Sequence, residues 1–281
     1  TGNQFLPQNA AIVHHAIFFR VGPDEVAEAR RTDAADDGEG WTCFGNAGIS
    51  DDAAWVAHWA PGVGENDLPA GTGYPMPAGS QMVMQVHYNL LGGKGADRSG
   101  IRLRLTGRTD LTPLDTMTIP APVELPCATG EKGRLCDRAA AIEDVGKRFG
   151  PQAEQTVEGL TRRCGGQAGT TQHCDYTVDR AGTVHAVGGH MHMLGRSITV
   201  DLNGKRRLLD VPDYDFDEQA VLPLAKPVAV KPGDTLRVTC THDASLRAKL
   251  PQLRELPPRY VVWGEGTSDE MCLGLVVWSP A

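Results

Sequence analysis

Short segments of alternating apolar and polar residues, each closed by a tight-turn sequence, constrain this chain more than any other feature. Residues 101–105 read Ile-Arg-Leu-Arg-Leu, with one face for a core and one for water, as a half-buried strand requires. Segments 197–202 and 205–211 flank Asn203-Gly204, a pair suited to the positive φ angles of a type I′ hairpin turn. Lys231-Pro232-Gly233-Asp234 marks a second tight turn, ahead of a strand at 235–240. The fold class predicted is all-β, with helix as the exception.

The main exception is 138–160, where Ala139-Ala140-Ala141-Ile142 and a later apolar run allow two short helices broken near Gly150-Pro151. Flanked by cysteines, this region reads as a partly helical insertion at about 127–174, pinned at both ends. A rigid decoration of a sheet edge suits it better than a lid. The run 51–59 suggests one further helical turn before Ala60-Pro61-Gly62. Proline and threonine gather between Leu111 and Pro126, which places a domain boundary there and predicts domains of 1–114 and 115–281.

With 27 basic against 35 acidic side chains among 281 residues, the formal charge of −8 argues against nucleic acid as a partner. No window holds the roughly 18 uninterrupted apolar residues of a membrane span. Thr1-Gly2-Asn3-Gln4 lacks the charged and apolar regions of a signal peptide, so a mature or trimmed form is expected. The seven cysteines include no Cys-x-x-Cys, which favours disulfides in an oxidising compartment, secreted or periplasmic, over zinc or dithiol chemistry. Cys127 with Cys136 and Cys164 with Cys174 would close short loops, and Cys240 with Cys272 would join two strands. Six cysteines alone allow 15 pairings, so the connectivity stays open. Cys43 is left over, with a partner expected upstream of Thr1.

Chemistry enters with His190-Met191-His192, because residues two apart on a strand point the same way and offer two imidazoles to one atom. His14-His15, His87 and Met271 have the same flavour, which suggests two metal centres. Imidazole accepts copper, zinc, iron or nickel, but a thioether favours copper, Cu(I) above all. Adjacent His14 and His15 can share a metal only where their strand is bulged, twisted or ending. Zinc-hydrolase and deaminase signatures are absent.

These segments resemble the copper type II, ascorbate-dependent monooxygenases, the family of peptidylglycine α-hydroxylating monooxygenase and dopamine β-hydroxylase. The matches keep the family's order: His14-His15, Gln85-Val86-His87-Tyr88, His190-x-His192 before Leu194-Gly195, Lys231-Pro232-Gly233-Asp234 with Thr239-Cys240-Thr241, and Glu270-Met271-Cys272. The resemblance implies two jelly-roll-like β-sandwich domains, each with one copper ion. His14, His15 and His87 would hold an electron-transfer copper, and His190, His192 and Met271 the copper that meets dioxygen. Two electrons from a reductant such as ascorbate would let one oxygen atom enter a C–H bond while the other leaves as water. By the same resemblance, Gln85 would order water or substrate between the coppers, and a Cys240–Cys272 disulfide would brace the Met271 strand.

Two departures bear on the substrate. Peptide-amidating members carry an arginine two residues before the first histidine of His-x-His; here Gly188 stands there. A tyrosine four residues after the ligand methionine is replaced by Leu275. Without those polar handles a C-terminal glycine peptide is disfavoured, and a less polar or differently held substrate is expected. The competing function is a copper carrier, store or sensor without turnover. A complete two-site ligand set and dispersed methionines speak against it. A part of a longer protein that acts on a partner-delivered substrate is a third reading. His58, His173 and His242 read as surface residues and His185 as a hydrogen-bonded structural one. The acidic run 210–217 lacks EF-hand spacing and reads as a solvated loop with Tyr214 or Phe216 buried.

Overall fold

The computed structural model describes residues 1–281 except 44, 45, 50, 51, 52, 91, 92 and 267. The chain forms two compact units, Thr1–Thr116 with Val277–Pro280, and Met117–Val276 with Ala281. Its architecture is an all-β sandwich with few helices.

The first unit holds β1 (Gly2–Leu6), β2 (Val13–Val21), α1 (Val26–Ala34), β3 (Ala54–Trp59), β4 (Asn66–Asp67), β5 (Thr72–Gly73), β6 (Gln81–Tyr88), β7 (Gly100–Arg104) and β8 (Thr112–Pro113). Its sheets run β4-β1-β7, β3-β2-β6 and β5-β8. Central strand β2 is buried on both faces, which is why its middle, Ala16 to Phe19, reads as an unbroken apolar run. Ala16 and Phe18 pack with Phe5, Val56 and Trp59 on one side. Ile17 and Phe19 meet Trp55 and Val83 on the other.

Two local expectations fail in this unit. Ala54–Trp59 is a strand paired with β2, not a helical turn, because Val56, Ala57 and Trp59 supply buried apolar surface to the sheet; Asp51 and Asp52 lie outside the described residues. Helix α1 was not anticipated. It buries only Ala29, so it has no apolar stripe for periodicity to detect.

The second unit continues with β9 (Asp115–Pro120), β10 (Glu124–Leu125), a 3₁₀ turn (Arg134–Cys136), α2 (Arg138–Phe149) and α3 (Pro151–Cys164). It then runs β11 (Thr171–Thr177), β12 (Gly182–His190), β13 (Gly195–Leu202), β14 (Arg206–Val211), β15 (Leu222–Val230) and β16 (Thr235–His242). Short α4 (Leu246–Lys249), β17 (Val261–Val262) and the start of β18 (Leu273–Pro280), whose last four residues count with the first unit, complete it. It has two four-stranded sheets, β11-β16-β13-β14 and β15-β12-β18-β9, and the separate small pair β10-β17. The sheets approach closely where side chains are missing: a Cβ on Gly189 would lie 2.7 Å from Ile198, and one on Gly274 3.3 Å from Val200.

The helices break at Gly150-Pro151, where glycine takes φ 89° and proline opens the next helix. Asn203 and Gly204 adopt φ 54° and 62° between β13 and β14, as the type I′ turn requires. Disulfides join Cys127–Cys136, Cys164–Cys174 and Cys240–Cys272; Cys43 lies outside them. Among the described residues no helix is long and apolar enough to cross a membrane.

Candidate metal centres

In the first unit, β2 pairs with β6 through Val13↔Tyr88 and His15↔His87, so His14 is the extra residue of a β-bulge. The bulge turns adjacent side chains toward each other. His14 and His15 are both buried, and their Nδ1 atoms face each other at 2.8 Å. His87 lies face to face with His15, ring centroids 3.9 Å apart. Gln85 falls on the His87 side of β6 two residues earlier and is buried. Its amide donates to Cys43 Sγ at 2.9 Å and to the Asn46 carbonyl at 3.3 Å.

In the second unit, β12 ends at His190, so His192 lies beyond the strand. Strand alternation therefore does not bring the two rings together. Tyr214 does part of that work: its hydroxyl accepts from the Met191 N–H and donates to the Met191 carbonyl, holding the intervening residue from both sides. The rings end 5.2 Å apart between centroids, nearly perpendicular.

Their hydrogen bonds also fix which nitrogen carries the proton. The Gln219 amide donates to the Phe216 carbonyl, so its Oε1 must face His190 Nδ1, 2.5 Å away, as an acceptor. His192 Nδ1 faces the Asp269 carbonyl at 3.2 Å, which can only accept. Both rings thus carry hydrogen on Nδ1 and the lone pair on Nε2, as metal-binding histidines do. Burial pushes the pKa of His190 down, which keeps it neutral and able to ligate.

Met271 reaches the same neighbourhood through Glu270. That carboxylate is fully buried and accepts from the backbone N–H groups of His192 (2.9 Å), Leu194 (2.6 Å) and Met271 (3.1 Å). One side chain therefore ties the turn bearing His192 to the segment bearing Met271. His242 adds to this anchor, with Nε2 3.3 Å from the Met271 carbonyl and 3.4 Å from Glu270. His242 is 2% exposed, which corrects its reading as a surface residue. The signal was there: it continues the inward row of Leu236, Val238 and Cys240 on β16.

Gly188 and Leu275 are both buried. A Cβ on Gly188 would stand 2.5 Å from Val221 Cγ2 and 3.1 Å from its Cα, so an arginine has no room there. In the acidic loop Tyr214 is buried while Asp213, Asp215 and Asp217 are exposed. Sequence reasoning missed that this loop serves His190, Met191 and His192 through Gln219, Tyr214 and Phe216, whose ring stands 6.3 Å from His192.

Among the described residues no three His, Cys, Asp or Glu side chains form a ready metal cage. Each unit brings one histidine pair together, with His87 stacked on His15 in the first and the Met271 backbone tied to the His192 turn by Glu270 in the second. Two Nε2-presenting imidazoles with a methionine on a β-sandwich are donor chemistry that copper takes. Residues 154–281 match the model of the copper type II ascorbate-dependent monooxygenase, C-terminal domain. Copper, with ascorbate as reductant, is the family's cofactor set. A ruminal GH26 endo-beta-1,4-mannanase structure aligns with 38% of this chain and 17% of its own length, at 15% identity and a TM-score of 0.19, a likeness that carries no argument.

Proposed function

We propose that the chain is a secreted or periplasmic dicopper monooxygenase that hydroxylates a C–H bond of a small or peptide-like substrate, with dioxygen and two electrons from ascorbate. The first domain, 1–114, would hold one copper through His14, His15 and His87. The second, 115–281, would hold the other through His190, His192 and Met271. The observation that carries this reading is the Glu270 carboxylate, which fastens both ligand segments while the two Nδ1 atoms are committed to acceptors.

Bound copper would supply one-electron chemistry toward dioxygen, and the thioether steadies the reduced metal. The protein's own part is geometric. Tyr214, Gln219 and Glu270 orient the donors before any metal arrives, and Phe216 sets an apolar wall beside His192. The packing of Val221 against Gly188 and the apolar Leu275 favour a substrate without a carboxylate to clamp. Three disulfides favour an oxidising compartment.

The copper-loaded chain, given ascorbate and a panel of apolar and benzylic amides, should form hydroxylated product with stoichiometric oxygen uptake. His190→Ala should abolish product formation at unchanged ascorbate. Tight copper binding with no product across the panel, and no difference between the two proteins, would favour a carrier.

A further inference from the structure

The insertion carries a connection that its role as a sheet-edge decoration does not require. Helix α2 is fixed at its start by Asp137, whose side chain caps the Ala140 N–H, and by Arg138, which forks onto buried Glu124. Disulfides Cys127–Cys136 and Cys164–Cys174 close the segment on either side. In its last turn α2 places Arg148, whose Nη1 and Nη2 donate to Asp269 Oδ2 at 2.8 Å and Oδ1 at 2.7 Å. Its Nε is held by Asp144 at 2.9 Å. A bidentate fork fixes direction as well as distance.

Asp269 is 2% exposed and sits in the turn that leads to Glu270 and Met271. Its Oδ2 also accepts the Gly266 N–H, its own N–H donates to the Gly266 carbonyl, and Arg259 adds a bond to Oδ1. The side chain therefore sets the turn's backbone. That backbone presents the Asp269 carbonyl to His192 Nδ1.

We infer that Arg148 is a positioning residue for copper: through Asp269 it fixes the tautomer and ring direction of His192, so the helical insertion tunes the His190, His192 and Met271 centre. This rests on the copper reading of that centre. Helix α2 lies outside the 154–281 segment that matches the family model.

The test uses the full chain loaded with copper, as wild type, Arg148→Lys, Arg148→Met and the charge-neutral pair Arg148→Met with Asp269→Asn. Cu(I) affinity at each centre is read by chelator competition, and Cu(II) geometry by electron paramagnetic resonance. Arg148→Met should weaken copper about 10- to 100-fold at the His192 centre and alter its spectrum, leaving the three-histidine centre untouched. Arg148→Lys should recover part of the loss. The double variant separates positioning from burial of a lone charge, and it should show the same spectral change. Wild-type affinity and spectrum in both methionine variants would overturn the inference, as would equal loss at both centres, the mark of general unfolding. A wild-type chain that binds copper indifferently to His192→Ala would instead remove the site reading itself, and the clamp with it.

Discussion

Glu270→Ala should destabilise the second unit by on the order of 3–6 kcal/mol and strip copper from the His190, His192 and Met271 centre. The wild-type carboxylate, fully buried, satisfies three backbone N–H groups from two separated segments. An alanine leaves all three without an acceptor, and each buried donor left unmade costs roughly 1–3 kcal/mol. His242 also loses an acceptor on its Nε2 side. Repair by water is hindered, because Met191, Leu194 and Cys272 fill the surroundings at 1% exposure or less. Urea unfolding at constant m-value measures the effect. A loss of less than about 1 kcal/mol would mean that the turn is held by its disulfide and sheet neighbours, not by the carboxylate.

The second large effect is at Glu124, which anchors the opposite end of the insertion. It is 2% exposed and accepts from Arg138 through both oxygens (2.5 and 2.7 Å), from Thr161 and from the Tyr260 hydroxyl. Burial alone would raise its pKa, but the hydrogen bonds from Arg138, Thr161 and Tyr260 outweigh it and hold the carboxyl below its ordinary value. Glu124→Gln should therefore cost about 2–4 kcal/mol near neutrality, somewhat under the value for a fully buried pair because Arg138 keeps Glu158 and some solvent. The sign with pH follows. A carboxylate depressed on folding contributes fully above its unfolded pKa, about 4.3, and loses that contribution as pH falls through the folded value. The gap between wild type and Glu124→Gln should narrow on acidification below about pH 4. A gap that is constant from pH 7 to pH 3 would show that the loss reflects packing rather than charge.

The parts of this molecule governed by local rules were legible in the sequence. Alternation, Asn203-Gly204 and Gly150-Pro151 act within a few residues, and the β13–β14 hairpin and the α2–α3 break appear where they point. The demand that His14 and His15 need an irregular strand was likewise a local argument, and β2 bulges at His14. What could not be read depends on distant partners. Nothing near Glu270 announces a buried carboxylate, since its donors come from His192 and Leu194 as well as from Met271 beside it. The acidic run is a solvated loop with Tyr214 buried, as its sequence suggests, but that Tyr214 and Gln219 serve the Met191 backbone and His190 depends on partners 23 and 29 residues away. Strand alternation does not pair His190 with His192, because β12 ends at His190, two residues short.

The most direct test counts tightly held copper per chain after reconstitution and dialysis under reducing conditions, in wild type and in Met271→Ala. Two independent donor sets, one all-imidazole and one containing a thioether, predict two equivalents in the wild type. The variant should lose or weaken one selectively, while His14, His15 and His87 stay loaded. Zero or one equivalent, unmoved by the change at Met271, would contradict the two-centre account.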